Sequence, residues 1–358
     1  MVRPAPPFAS ALRALLRAIA AADAGGLRRA ADSARALKHA GVGAASAETV
    51  TRLISAISDA LTRRAIALAL AAAPAPLRER RWCWIALGSE GRQEQTLVSD
   101  QDNGIIFGDG PEPDAVRAQL LPLALEINRT LAECGFALCE GNIMASNPEC
   151  CLSLHEWRAR FAGWIDEGDP QALLGATIFF DLRALAGALP LARELAAWTA
   201  RAAADNRRFL FQMADNALRR RPPLGLLHGL ALEKAGPHAG AIDLKHNAAT
   251  LYVDAARVFG LACGEHASST AARLRMAARN HLLDRAEVEE WIGCFHFIGA
   301  LRLRMQQQGY LRGEAMHNHV RPAQLDAADR RALLRALRHA GALQRQMSAR
   351  FLAGGQGL

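Results

Sequence analysis

Long hydrophobic runs are what this chain lacks most plainly. No stretch approaches the ~20 consecutive apolar residues that a membrane span requires, so no membrane partner is expected. Its seven cysteines, Cys83, Cys134, Cys139, Cys150, Cys151, Cys263 and Cys294, are odd in number and never take CxxC spacing, which argues against a structural zinc site. The expectation they leave is reduced core thiols in a cytoplasmic protein. Lysine is scarce, and the basic residues behind the formal charge of +8 are nearly all arginines interleaved with acids. Only Arg219-Arg220-Arg221 forms a run, and no aromatic-interleaved basic patch accompanies it, so nucleic-acid binding is not expected. There is no internal repeat and no low-complexity linker. The segment up to Ala22 has arginines and no acid, as a targeting leader would, but Arg13 and Arg17 interrupt its apolar stretch and favour an amphipathic helix.

What is present is a chain of 358 residues, 51% of them hydrophobic, enough for a sizeable core and two or three domains. From Ala9 to about Leu70 the pattern is helical in three segments, divided by Gly25-Gly26 and by Gly41 to Ala45. In the third, Val50, Leu53, Ile54, Ile57, Leu61 and Ile66 recur at helical spacing. Pro74 and Pro76 end this region. A strand is then expected over Trp82–Leu87, a second over Gly104–Phe107, a helix from Pro111–Pro113 to about Cys134, and a third strand over Phe136–Met144. After Pro148 the pattern turns helical again to the end, divided by prolines into about seven helices with caps such as Asp169 and Asp326. The expected class is α+β: a small mixed-sheet domain over 80–147, an N-terminal helical segment over 1–79 and a C-terminal helical bundle over 148–358.

The chemistry concentrates in Trp82–Phe107, WCWIALGSEGRQEQTLVSDQDNGIIF. The first apolar run breaks at Gly88-Ser89, as a buried strand does when it turns sharply. Gly88 and Gly91 would let backbone approach a phosphate closely, with N–H groups beyond them forming an anion nest. Ser89 adds a hydroxyl and Arg92 a charge. Asp100 and Asp102, spaced i, i+2, fall on the same side of an extended chain. Their hard oxygens suit Mg²⁺, which takes one or two carboxylates and fills its other positions with water and substrate phosphates. A phosphate cradle beside a carboxylate pair fits nucleotidyl transfer, in which the metal neutralises a triphosphate and steadies the leaving pyrophosphate.

That stretch resembles the signature of nucleotidyltransferases of the DNA polymerase beta type: Gly-Ser, a short variable segment, then Asp-x-Asp. Within that superfamily the chain is most similar to bacterial nucleotidyltransferases related to the PII-protein uridylyltransferase. The likeness extends through RLISAISDALTRRAI, GNIMASNP at Gly141–Pro148, FFDLRALAG at Phe179–Gly187, PLGLL at Pro223–Leu227, IDLKH at Ile242–His246 and ARV at Ala256–Val258. The resemblance implies that Gly88 and Ser89 hold a nucleoside triphosphate, that Asp100 and Asp102 bind Mg²⁺ or Mn²⁺, and that Gly91, Arg92 and Glu94 shape the same pocket. It implies an enzyme with a helical substrate-binding domain and a partner protein among the candidate acceptors. The alternative is a nucleotide-sensing adaptor in signal transduction that kept the pocket and lost turnover.

Many members of the superfamily carry a third carboxylate on a later strand, and Phe136–Met144 offers only Glu140, beside a glycine turn. Elsewhere FFDLR, IDLKH and DAAR at Asp254–Arg257 set acids and bases among apolar residues. DAAR reads as an ion pair within a helix; FFDLR and IDLKH are open between site and scaffold. His317 and His319 flank Asn318 without further partners at metal spacing.

Overall fold

Capping chemistry organises the N-terminal third. In the computed structural model, which describes residues 6–168, 170–225 and 229–353, helices α1 (Pro6–Ala21), α2 (Ala24–Gly41) and α3 (Ala47–Ala72) follow one another. Asp23 accepts from the Gly26 N–H and Ser46 from the Thr49 N–H, each satisfying a donor left over by a first helical turn. The apolar face of α3 is buried at Val50, Leu53, Ile54, Ile57, Leu61 and Ile66, as the spacing predicted. Pro74 closes this region and starts the short helix α4 (Ala75–Glu79).

Next come β1 (Trp82–Ala86), a single helical turn α5 (Gly88–Gly91), β2 (Asn103–Phe107), α6 (Pro113–Glu133), β3 (Cys151–Ser153), α7 (Leu154–Ala162), α8 (Pro170–Ala176), β4 (Arg183–Gly187) and α9 (Leu189–Asp205). The four strands form one mixed sheet in the order β3-β2-β1-β4. β1 is antiparallel to β2 and β4, and β2 is parallel to β3. Both central strands are buried at every position, which is why WCWIA and the IIF of β2 show no apolar-polar alternation. At the closing end of β1, Ala86 lies opposite Asn103 at the start of β2 and opposite Arg183 at the start of β4. The residues just outside those three strand ends are thereby gathered at one edge of the sheet.

The third strand expected over Phe136–Met144 is not formed. Only Ala137 makes a bridge, to Asp100; the rest turns, with Gly135 and Asn142 at positive φ and Leu138 half exposed. Glycine and a left-handed asparagine break the extended path before a ladder can propagate. The strand beside β2 is instead β3, and β3, β4 and the two strands below interrupt the uniformly helical pattern expected after Pro148.

The chain divides into two compact units, one comprising residues up to Phe161 with Ile178–Ala196, the other Ala162–Thr177 with the residues from Ala197 onward. The first holds the sheet. The second contains α10 (Arg207–Leu218), β5 (Ile242–Asp243), α11 (Thr250–Ala262), α12 (Thr270–Arg279), α13 (Arg285–Leu311), β6 (His319–Val320) and α14 (Ala327–Phe351). Its core includes Tyr252, Phe259 and Trp291, and the Tyr252 hydroxyl donates to the Ala336 carbonyl at 2.6 Å. Asp326 caps α14 through the Asp329 N–H; Asp169 and Leu226-Leu227 lie outside the described residues. No helix among the described residues is long and apolar enough to cross a membrane.

Candidate active site

The turn leaving β1 is closed by its own backbone. The Gly91 N–H donates to the Leu87 carbonyl at 2.8 Å, Arg92 to Gly88 at 3.0 Å, and Glu94 to Ser89 at 2.9 Å. Gly88 has φ +52°, and a Cβ there would stand 2.8 Å from Asp102 Oδ2. A Cβ on Gly91 would stand 1.9 Å from the Asp181 carbonyl oxygen. The two glycines therefore admit two close neighbours: at Gly88 the Asp102 carboxylate, at Gly91 the FFDLR backbone. Ser89, between them, is half-buried.

Asp100 and Asp102 flank a residue that is pinned the other way. The Gln101 side chain is 2% exposed, and its Nε2 donates to the carbonyls of Asn128 and Phe136, each at 3.0 Å. Asn128 Nδ2, on α6, returns bonds to Gln101 Oε1 at 2.8 Å and to Asn103 Oδ1 at 3.1 Å. Asn103 Oδ1 also accepts from the Ala145 N–H at 2.8 Å, and Asn128 Oδ1 from the Ser146 N–H at 3.2 Å. Because side chains alternate along an extended chain, locking Gln101 and Asn103 inward leaves Asp100 and Asp102 on the opposite, half-buried side. The main chain there is fastened as well: Leu87 N–H donates to the Asp102 carbonyl at 2.9 Å and Gln101 N–H to the Ala137 carbonyl at 2.9 Å. Burial pushes the Cys139 thiol up, and the Asp102 carboxylate beside it adds to that.

Arg92 and Glu94 do not stand open to the edge. Arg92 Nε donates to Glu94 at 2.8 Å, and Arg92 Nη1 pairs with the fully buried Asp181. Asp181 is thus the acid that a later part of the chain brings to the turn, delivered by the segment entering β4. Glu140 is exposed, in the turn that closes through Asn142 N–H to Cys139 O. Sequence reasoning placed the search for a further acid on Phe136–Met144; the signal that could have found Asp181 is FFDLR itself, an acid just before an apolar strand.

A second ion pair lies beneath the turn. Arg183 grips Asp59 of α3 with both Nη atoms, at 2.9 and 2.7 Å, and Nη2 also reaches the Glu90 carbonyl at 3.1 Å. The Glu90 side chain is buried, and desolvation, reinforced by the charges of Asp59 and Asp102 against those of Arg183 and Lys38, pushes its carboxyl up to about 8. Lys38, stacked 4.8 Å over the Phe136 ring, is lowered to about 8, first by burial and then by Arg35. Among the described residues no three or more His, Cys, Asp or Glu side chains converge to cage a metal ion. Two carboxylates at an edge where Gly88 leaves the room that a Cβ would fill still match a cation that completes its shell with phosphate and water.

Residues 28–171 match the family model described as "putative nucleotidyltransferase DUF294", and residues 207–351 match that described as "putative nucleotidyltransferase substrate binding domain". The chain belongs to this nucleotidyltransferase family. No curated protein matches it. The nucleotidyltransferase match takes in the turn, both aspartates, Asp59 and Asn128, and ends before Asp181 and Arg183.

The family's substrate-binding portion holds the remaining motifs. In IDLKH, Asp243 Oδ1 accepts from the backbone N–H groups of Lys245 at 2.7 Å and His246 at 2.9 Å, a capping role. Asp254 and Arg257 of DAAR form the expected intrahelical pair at 2.7 Å. Asn318 is the anchor of its triplet: Oδ1 accepts from Arg302 Nε at 3.1 Å and from Gln306 Nε2 at 3.0 Å. His238 stacks on His319 with ring centroids 3.6 Å apart and planes 10° from parallel. His317 Nδ1 accepts from the His319 N–H at 3.2 Å, so that nitrogen is already engaged by backbone.

Proposed function

We propose that this nucleotidyltransferase family member moves a nucleoside monophosphate from a nucleoside triphosphate to an acceptor, with Mg²⁺ or Mn²⁺ held by Asp100 and Asp102, and that a partner protein is among its acceptors. The observation that carries the reading is the meeting of the Asp102 carboxylate with the Gly88 turn, Asp100 lying on the same side of its strand. The Ser89 hydroxyl, half-buried in the turn beside Gly88, would meet the phosphate oxygens. When bound, the divalent cation supplies charge neutralisation of the triphosphate and activation of the attacking oxygen. Asp100 and Asp102 hold and orient it. Arg92, tied to Glu94 and Asp181, shapes the turn from below rather than reaching for substrate.

The pairing of Asp181 with Arg92 is what favours a second reading, a nucleotide-sensing adaptor, because it leaves two carboxylates to do the work of three. Incubating the purified chain with each labelled triphosphate and a cell extract separates the two. Label transferred to a protein or small molecule supports the enzyme; binding with no pyrophosphate released supports the adaptor. Asp100→Asn and Asp102→Asn are each expected to abolish transfer with the circular dichroism spectrum unchanged. Transfer retained by the double variant would refute the assignment.

A further inference from the structure

We infer that Asp59, on the helix α3 that precedes the sheet, is a positioning residue for the phosphate turn and acts on it through Arg183; the inference rests on the nucleotidyltransferase reading above. Asp59 is 5% exposed, and its two oxygens take the two Nη atoms of Arg183 fork to fork, at 2.9 and 2.7 Å. A planar guanidinium held at two points has little freedom left, so the direction of the second N–H on Nη2 is set by the carboxylate. Here that N–H points at the Glu90 carbonyl, 3.1 Å away, in the middle of α5.

A helix of four residues is far below the length at which helical hydrogen bonds sustain themselves. Its own backbone bonds close it, and bonds from outside hold it in place. Two come from the FFDLR segment: the Asp181 carboxylate, at its middle, holds Arg92, which follows α5, and Arg183, at its end, holds Glu90 within it. Asp59 is the residue that aims the second. Its neighbour Arg63 contributes to the same grip, with Nη2 3.6 Å from Asp59 and Nε donating to the Leu185 carbonyl of β4 at 3.1 Å. Through this pair α3 holds both β4 and the turn, which makes the N-terminal helices a working part of the nucleotide site.

A purely structural ion pair would loosen α3 and β4 as a whole when broken. A positioning residue loosens the turn selectively and weakens phosphate binding in molecules that remain folded. The test uses the full chain, with hydrogen exchange of the Gly91, Arg92, Gln93 and Glu94 amides measured without nucleotide, and the affinity for a non-hydrolysable triphosphate analogue with Mg²⁺ measured alongside. Asp59→Asn is expected to speed exchange at those four amides about tenfold, to leave Ile105 and Ile106 of β2 protected, and to weaken analogue binding about tenfold, the loss expected for one charge-assisted hydrogen bond. Asp59→Glu should recover part of both. If Asp59→Asn does not fold, Arg183→Lys makes the same test, since it keeps the charge and loses the fork. A folded variant of either kind with wild-type exchange at residues 91–94 overturns the inference. Wild-type protein that binds no triphosphate analogue would instead overturn the nucleotide reading, and the exchange measurement would still decide what Asp59 does.

Discussion

Replacing Gly91 by alanine adds one methyl group where backbone presses from two directions. The added carbon would lie 1.9 Å from the Asp181 carbonyl oxygen and 2.9 Å from the Ala86 carbonyl oxygen. Carbon and oxygen rest no closer than about 3.3 Å, so the FFDLR backbone must retreat by roughly 1.4 Å. Neither neighbour is a side-chain end that can swing away. Asp181 leads directly into β4, whose first residue Arg183 is paired with Ala86, so the retreat opens the edge of the sheet and stretches the Arg92–Asp181 pair. Overpacking of a well-filled site costs about 1–3 kcal/mol, and two rigid contacts place Gly91→Ala at the upper end, about 3 kcal/mol. For a unit of this size that is a melting temperature lower by about 6–12 °C. Differential scanning calorimetry of the full chain, with Gly110→Ala as the reference because none of the described residues lies within 4 Å of its Cβ position, reads the difference. Triphosphate binding should fall in parallel, since the displaced segment carries both Asp181 and Arg183. A Gly91→Ala protein melting within about 1 °C of the Gly110→Ala protein and binding triphosphate normally would refute the claim that the turn is packed directly on this backbone.

Asn128→Leu should destabilise the chain by about 3 kcal/mol in urea denaturation, because it leaves Gln101 Oε1, Asn103 Oδ1 and the Ser146 N–H without their buried partner. It should also weaken Mn²⁺ binding, read by electron paramagnetic resonance, although Asn128 is no ligand; unchanged stability would refute the buried network. Glu90 and Lys38 together predict a pH profile. The Glu90 carboxyl sits above its ordinary range, at about 8, so the folded chain binds more protons than the unfolded one from near pH 4.5 to 8, and stability falls with rising pH across that window. Lys38 sits below its ordinary range, at about 8, so the unfolded chain binds more protons from pH 8 to 10.5 and stability rises again. Guanidinium titrations from pH 5 to 10 should show a minimum near pH 8 from this pair, with Glu90→Gln removing the falling limb and Lys38→Met the rising one. A Glu90→Gln variant whose stability falls as steeply as wild type between pH 5 and 8 would refute the burial of an ionisable Glu90.

The amino-acid sequence by itself determined the N-terminal helices and the first two strands, and it marked the place proposed for the chemistry. Caps and helical spacing wrote the N-terminal helices, apolar runs wrote β1 and the Ile105–Phe107 part of β2, and Gly88-Ser89 followed by Asp100-x-Asp102 marked the edge where they meet. These are legible because each rests on neighbours a few residues apart: a side chain bonding its own helix end, a period of 3.6, a pair of acids at i, i+2. What the side chains between those marks do was decided only by tertiary structure. The roles of Gln101 and Asn103 as inward anchors depend on Asn128, 27 and 25 residues away. Asp181 reaches the turn only because β4 adds beside β1, a placement 89 residues beyond Arg92 that no local spacing encodes. Asp59 meets Arg183 across 124 residues. No local pattern announces such partners, because an ion pair or a buried amide gains nothing from sequence proximity; it is selected by which strand ends the sheet brings to one edge.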